Sequence, residues 1–175
     1  MKKILIVFLT FIISTVTFSQ DAFSEGVKKC IQSNGTYAYY DDVADQMFTM
    51  LEEKYASEEV PNTVWNELKG MKTTSLENLS QMIISAYRGH FSLEDVNNMN
   101  TLYESETGKK MLKNNSNLSE TEKNTITEFY SSETGQKITG SQESMNSVMG
   151  QISATWSSDF FRQVVDKLSE KGYNL

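Results

Sequence analysis

The chain has 175 residues, an acidic composition with a net charge of −7 at pH 7, and a single cysteine. This length suits one domain whose core is large enough to fold without disulfides or metals. The acidic balance, with no cluster of Lys or Arg beyond the N-terminus, argues against nucleic acid or an anionic lipid surface as a partner.

The N-terminus has the pattern of a secretory signal peptide over residues 1–19. An apolar run of about 15 residues follows a short basic start, whereas a membrane-spanning helix needs roughly 20. Thr17 and Ser19 supply the small side chains required before a cleavage site after Ser19. The sequence therefore predicts an exported protein, periplasmic or secreted, with a mature chain of residues 20–175 and no stable membrane insertion. An uncleaved anchor is the alternative, because Thr17 is less usual than Ala at its position.

Four helices are predicted in the first half of the mature chain from the spacing of its apolar residues. The first ends at Gly35, since glycine is common just after a helix C-terminus. The second precedes a break at Pro61, which disfavours helical dihedrals in the residue before it. A short third helix follows, and residues 74–77 form a capping box that would begin the fourth. The residues predicted to face the core are Phe23, Val27, Cys30, Ile31, Tyr40, Val43, Ala44, Met47, Met50, Leu51, Val64, Trp65, Leu68, Met71, Leu76, Leu79, Ile83, Ala86, Tyr87 and His90.

The second half contains an internal repeat. Residues 91–112 and 118–139 each begin with a large apolar residue and a serine, have an acidic residue three positions after that serine, and continue to the pattern Tyr-x-Ser-Glu-Thr-Gly-x-Lys. Each copy is predicted to be a helix, a corner and a second helix. Two copies are too few for a solenoid. We therefore predict an all-α, single-domain helical bundle of short helices that ends in one long helix, from Glu133 to about Lys171, terminated by Gly172.

The residues at both corners have folding roles. The first serine of each copy would start a capping box with the acidic residue three positions later, and the second serine would cap the next helix. The glycine would let the aromatic residue of the preceding helix lie close to the backbone, and the tyrosine would cover the corner. The motif residues are Ser92, Asp95, Tyr103, Ser105, Gly108 and Lys110 in the first copy, and Ser119, Glu122, Tyr130, Ser132, Gly135 and Lys137 in the second.

An anion at these helix N-termini is an alternative role for the corners. Glu106 and Glu133 occupy the same N-termini, however, and their negative charges would repel an anionic ligand.

The first copy resembles a known family when it is taken together with the end of the fourth helix. The residues before the corner include Tyr87, Phe91, Ser92 and Asp95. This sequence pattern resembles that of exported bacterial proteins of the domain of unknown function 2059 family. The resemblance is best over residues 40–112. The chain departs from the family pattern in having glutamate where a proline usually follows the corner serine. The resemblance implies a helical fold and export, and it implies no catalytic residue because the family has no assigned activity.

Catalytic and metal sites have little support in the sequence. His90 is the only histidine, which excludes a multi-histidine metal site. Cys30 and His90 would make a nucleophile and a base, but the apolar face around Cys30 would raise the pKa of its thiol. Cys30 is better interpreted as a small buried residue, with a disulfide-linked homodimer as the alternative.

Glu106 and Glu133 are a candidate carboxylate pair for hydrolysis. Their equivalence in the repeat implies equal environments, whereas acid and base catalysis needs unequal ones. Methionines spaced three or four apart would suit Cu(I), but they fall on or near the apolar stripes, where methionine serves as core filler. No catalytic residue, metal ligand or cofactor is therefore predicted, and the protein is not expected to be an enzyme.

The function predicted is that of an envelope-associated interaction or binding module that recognises an unknown protein or envelope partner. The alternative is a carboxylate-dependent hydrolase of an envelope polymer. A hydrolase should have a concave pocket with two inward carboxylates of unequal burial, whereas an interaction protein should expose an apolar patch. Candidates for such a patch are Tyr37, Tyr39, Phe161 and Tyr173, which lie off the main stripes.

Overall fold

The computed structural model describes residues 22–113 and 117–174, so the predicted signal peptide lies outside the described residues. The described residues form helices and contain no strand. The helices are α1 (residues 22–33), α2 (Thr36–Lys54), α3 (Asn62–Lys69), α4 (Met71–Arg88), α5 (Leu93–Glu104), α6 (Glu106–Leu112), α7 (Glu120–Ser131) and α8 (Glu133–Glu170), with a 3-10 turn at Ala56–Glu58. The predicted all-α class, with two helix-corner-helix copies and a long C-terminal helix, is confirmed.

The described residues divide into two compact units, each made of two separate stretches of chain. Unit 1 contains the residues up to Asn34 together with Tyr87–Thr139. Unit 2 contains Gly35–Ala86 and the chain from Gly140 onward. Both copies of the repeat motif therefore belong to unit 1.

Unit 2 is held together by aromatic side chains from α2 and α8. The ring of Tyr40 meets Trp156 edge-on at 5.3 Å between centroids, and Phe48 meets Phe160 edge-on at 5.8 Å. Such pairs add about 0.5–1.5 kcal/mol to the burial of the rings themselves. The indole nitrogen of Trp156 donates a hydrogen bond to the Ser75 carbonyl at 3.0 Å. These contacts fasten α8 to both α2 and α4.

The capping box predicted at residues 74–77 is wrong. Helix α4 already begins at Met71, and Ser75 is buried inside it. The reason lies at Gly70, which keeps right-handed helical dihedrals and donates its N–H to the Asn66 and Glu67 carbonyls. The end of α3 therefore leads directly into α4. His90 was predicted on the face of this helix, but the helix ends at Arg88 and His90 lies in the following turn.

Unit 1 contains a close crossing of α1 and α5. A Cβ atom on Gly26 would lie 3.0 Å from Cγ1 of Val96, and the Asn100 amide donates to the Gly26 carbonyl at 2.9 Å. The neighbouring Val27 and Val96 are fully buried. Helix α1 thus covers the inner face of the first repeat.

Candidate functional site

The two corners have the same local geometry. Ser105 accepts a hydrogen bond from the Gly108 N–H at 2.9 Å and donates to the Leu102 carbonyl at 2.6 Å. Ser132 accepts from the Gly135 N–H at 3.2 Å and donates its hydroxyl to the Phe129 carbonyl at 2.6 Å. The predicted caps are confirmed. Because each hydroxyl proton is bonded to a carbonyl, neither serine is arranged as a nucleophile.

The corner glycines are required by a close approach of backbone atoms. A Cβ atom on Gly108 would lie 1.9 Å from the Leu102 carbonyl oxygen, and one on Gly135 would lie 2.2 Å from that of Phe129. The sequence predicted an approach of the preceding aromatic residue, and the atoms that approach are backbone atoms of the preceding helix. No other residue type fits either position without a backbone shift.

Each repeat also begins with the predicted capping box. In the first, the Asp95 N–H donates to the Ser92 hydroxyl at 3.2 Å, and the Ser92 N–H donates back to the carboxylate at 3.0 Å. In the second, the Glu122 N–H donates to the Ser119 hydroxyl at 3.2 Å, and the Ser119 N–H donates back to the carboxylate at 2.8 Å. The boxes place one carboxylate at the start of α5 and another at the start of α7.

These carboxylates pair reciprocally between the repeats. Lys110 of the first copy donates to Glu122 of the second at 2.6 Å, and Lys137 of the second donates to Asp95 of the first at 3.0 Å. The two acids are equivalent in the motif, and so are the two lysines. When a contact between two residues is repeated by their equivalents in the other copy, the interface is isologous, as in a two-fold dimer. The repeat is evident in the sequence, but this pairing was not predicted from it.

The two pairs differ in burial. The side chain of Asp95 is 4% exposed and that of Glu122 is 17% exposed. Burial alone would raise the pKa of Asp95, but hydrogen bonds from Ser92, Lys137 and Thr134 outweigh it and hold that pKa well below its usual range. The Lys110 hydrogen bond, followed by those from Ser119, lowers the pKa of Glu122 to about 2. Both acids are therefore charged at neutral pH.

A groove of about 390 Å³ is lined by equivalent residues of both repeats. Leu102 and Phe129 are equivalent and provide its large apolar surface. The other lining residues are two equivalent pairs and one threonine, namely Asn98 with Thr125, Ser105 with Ser132, and Thr101. None of them is charged. The two corner serines therefore converge on one groove, but Glu106 and Glu133 do not line it.

The hydroxyl groups in this groove are engaged by the fold. Besides the two corner serines, Thr101 donates to the Asn97 carbonyl at 2.9 Å and Thr125 donates to the Thr121 carbonyl at 3.1 Å. The Asn98 amide donates to the Thr134 hydroxyl at 3.0 Å. The groove thus offers apolar surface and acceptor oxygens, and its hydroxyl protons already have partners.

Helix α7 forms one wall of the groove and contains no buried residue. Its counterpart α5 buries Val96, Met99 and Leu102. The positions equivalent to Val96 and Met99 are Lys123, which is exposed, and Ile126, which is half-buried. The second repeat therefore leaves uncovered a helix face that the first repeat buries.

A neighbouring cavity of about 180 Å³ brings carboxylates together. Glu94, Asp95 and Glu133 line it with Lys137. Glu133 is exposed and lies 3.0 Å from the Lys137 ammonium. Its repeat counterpart, Glu106, pairs with Lys109 at 2.9 Å and does not line the cavity. The two glutamates proposed as a pair from the sequence therefore do not share this site.

Tyr87, Phe91 and Tyr103 do not line the groove. The Tyr87 ring is 5.5 Å from Phe91, and its hydroxyl is 3.9 Å from the fully buried Cys30 sulfur. Burial raises the pKa of the Cys30 thiol to about 11, although the contact with Tyr87 opposes the rise. Burial likewise raises the pKa of the Tyr87 and Tyr103 hydroxyls. His90 contacts Phe91, with ring centroids 6.1 Å apart.

The four aromatic residues predicted to form a patch all belong to unit 2. Tyr39 is 62% exposed, and Tyr37, Phe161 and Tyr173 are half-buried. Phe161 lines a small apolar cavity between α2 and α8. Of these four residues, Phe161 therefore lines a concave apolar surface.

Among the described residues, no group of three or more His, Cys, Asp and Glu side chains is placed to hold a metal ion. In the same part of the chain, no helix combines the length and hydropathy that crossing a bilayer requires.

Comparison with known proteins gives one family. The family model described as "Uncharacterized protein conserved in bacteria (DUF2059)" matches the chain twice, over residues 77–119 and 115–163. Each match contains one copy of the corner motif. The resemblance was predicted to be best over residues 40–112. The two matches begin at residue 77, after Trp65, and extend to residue 163, beyond the C-terminal limit of that range. No curated protein matches the chain, and no solved structure matches it.

Proposed function

We propose that this chain, which belongs to the DUF2059 family of uncharacterised bacterial proteins, is an exported binding module that holds an apolar segment of a partner polypeptide between its two repeats. The observation that carries this proposal is the groove lined by Leu102, Phe129 and the two corner serines. Its volume of about 390 Å³ lies at the lower end of the range of binding pockets, roughly 300–1,000 Å³.

The chemistry of the groove favours a polypeptide over a sugar. A sugar ring presents many hydroxyl groups and needs both donors and acceptors at fixed positions. The hydroxyl protons of Thr101, Thr125 and the corner serines are bonded to backbone carbonyls. What remains is contact with Leu102 and Phe129, which suits one or two large apolar side chains.

Charge narrows the class of partner further. The chain carries a net charge of −7, and loss of Lys2 and Lys3 with the signal peptide would make the mature protein more negative. The groove itself is uncharged, but Glu94 and Glu133 line the adjoining cavity. A segment with Lys or Arg beside its apolar side chains would be attracted to this surface.

Export is part of the proposal, and it rests on residues 1–19. Protein recovered from the envelope or the medium of the producing cell should begin at Gln20 when its N-terminus is sequenced. Recovery of the intact Met1 terminus from the cytosol would refute this part of the proposal.

The groove is tested with two tryptophan variants of one helix. Thr125 lines the groove, whereas Thr127 is exposed on the same helix, about 200° around its axis. A random-peptide library is selected on the wild-type protein, and the enriched peptides are then measured on T125W and T127W. We expect peptides with large apolar residues beside Lys or Arg, bound about tenfold more weakly by T125W and normally by T127W. Enriched peptides that bind T125W as well as wild type would refute the groove as the site, and so would the absence of any enrichment.

A carboxylate-dependent hydrolase is the second candidate, because Glu94, Asp95 and Glu133 line one cavity and differ in burial. Asp95 is a poor proton donor, since its hydrogen bonds depress its pKa. Glu133 would then have to supply the acid. Release of soluble fragments from purified cell-wall polymer by the wild type, and its loss in E133Q, would favour the hydrolase over the binding module.

A further inference from the structure

Helix α2 carries two adjacent apolar stripes. Tyr40, Ala44, Phe48 and Leu51 are buried and face the core of unit 2. The second stripe lies about 100° around the helix axis from the first. It consists of Tyr39, Val43, Met47 and Met50. Tyr39 is 62% exposed and Met50 is 41% exposed. The sequence predicts a single stripe that contains both sets, and the prediction that Met50 faces the core is wrong.

Three residues of the second stripe, together with Ala44 of the first, form one wall of a cavity of about 190 Å³. Val43, Met47 and Met50 face Phe161 and Ser157 of α8 across this cavity. Trp156 and Phe160 also line the cavity, and their pairs with Tyr40 and Phe48 join α2 to α8 without the second stripe. Contiguous apolar surface of this kind is typical of an interaction site.

The α8 wall has room for another helix. Gly150, Ala154 and Ser157 precede Phe161 at helical spacing, and all are small. A Cβ atom on Gly150 would meet nothing within 4 Å, and Ala154 is exposed. Small side chains on one wall and long, flexible methionines on the other allow a helix to approach closely and the surface to adapt to it.

The outer edge of the α2 stripe is acidic. Asp42 and Glu53 are exposed there, on either side of Gln46. Asp42 accepts a hydrogen bond from the neutral Gln46 amide at 2.6 Å, and that contact leaves its negative charge in place. A partner with basic residues along one edge would be complementary to this side of the groove.

We propose that α2 and α8 of unit 2 form a docking groove for an amphipathic helix of a partner protein, one that carries Lys or Arg along an edge of its apolar face. Helix-in-groove recognition uses apolar anchors at i, i+3, i+4 and i+7. The stripe from Tyr39 to Met50 extends for about 16 Å, which matches roughly three helical turns of such a partner. This surface uses other residues than the groove between the repeats, so it stands independently of the function proposed above.

The experiment uses two designed helical peptides and the protein produced from its full sequence. Both peptides have leucine on one face, and they carry either lysine or glutamate along its edge. Binding is measured by titration calorimetry against wild type, A154W and T155W. Ala154 lies on the groove stripe, whereas Thr155 is exposed about 100° away on the same helix. Charge is tested with the D42K/E53K variant, for which D166K/E170K is the control, because Asp166 and Glu170 are exposed on the opposite face of α8.

We expect the lysine peptide to bind wild type and T155W alike, and A154W and D42K/E53K about tenfold more weakly. The glutamate peptide should bind wild type at least about tenfold more weakly than the lysine peptide. Equal binding of the lysine peptide to A154W and wild type would overturn the proposal, as would no binding to wild type. The proposal also fails if the protein is dimeric without peptide and A154W makes it monomeric, because the occupant is then a second copy.

Discussion

Lys110 and Glu122, which belong to different repeats, are joined by a 2.6 Å hydrogen bond whose motif counterpart is the 3.0 Å contact between Lys137 and Asp95. The repeats therefore pair as two subunits of an isologous dimer would, within one chain. This explains why the lysine follows the corner glycine in both copies. Each copy holds the capping-box acid of the other.

The first prediction concerns the unequal contributions of these two ion pairs to the free energy of unfolding. The D95N variant should lower the free energy of unfolding by about 2 kcal/mol, because Asp95 is buried and accepts charged and neutral hydrogen bonds. The E122Q variant should lower it less, since the ion pair of Glu122 with Lys110 is nearer to solvent. Urea denaturation of both variants measures the difference. Equal losses would show that burial does not distinguish the two pairs.

A double-mutant cycle tests whether Lys137 acts through Asp95. The variants D95N, K137M and D95N/K137M should show a coupling energy above zero, kept small by the partial exposure of Lys137. The cycle of K137M with E122Q is the control, because those two residues belong to different pairs. Strict additivity of D95N and K137M would contradict a direct contact.

The second prediction follows from the pKa of Asp95. That pKa is lower in the folded protein than in the unfolded chain, so its contribution to stability is complete above the unfolded value near 4. The contribution is lost as the pH falls through 4 toward the lower folded value. The urea midpoint of wild type should therefore drop between about pH 6 and about pH 3, and that of D95N should drop less. The D95N variant should still lose some stability over this pH range, because it retains Glu122, whose pKa is also lowered. Parallel pH profiles for the two proteins would contradict the prediction.

The third prediction distinguishes two kinds of glycine. G108A and G135A should each destabilise the protein by about 3 kcal/mol or more, because the new Cβ would collide with a backbone carbonyl at 1.9 or 2.2 Å. G140A is the matched control, since a Cβ there meets nothing within 4 Å. It lies within α8 and should stabilise the protein by about 0.5–1 kcal/mol. Thermal unfolding followed by circular dichroism compares all three, and tolerance of alanine at Gly108 would refute the corner geometry.

The parts of the fold that the sequence predicts correctly are mostly local. The capping boxes at Ser92 and Ser119 depend on residues three positions apart, so their pattern is visible in the chain. The corner serines are equally local. The box at residues 74–77 fails because Gly70 keeps helical dihedrals, a choice that its neighbours do not specify.

The candidate sites depend on contacts that no local pattern specifies. Lys110 and Glu122 are twelve positions apart, and Asp95 and Lys137 are 42 apart. The repeat itself was a usable signal, because equivalent acids and equivalent lysines allow reciprocal pairing. On α2, both apolar stripes fit a core-facing helix, and the aromatic partners Trp156 and Phe160 decide which one is buried.

The fourth prediction concerns Cys30 and the disulfide-linked homodimer that the sequence left open. The thiol is fully buried, and its pKa is raised to about 11, so at pH 8 only about one molecule in a thousand would carry the reactive thiolate. Iodoacetamide should therefore alkylate the folded protein about a hundredfold more slowly than the same chain in urea, as followed by mass spectrometry. Non-reducing electrophoresis of the folded protein should show a monomer. Rapid alkylation without denaturant, or a dimer that disappears on reduction, would mean that Cys30 leaves its site beside Tyr87, and the close packing of α1 in unit 1 would then be wrong.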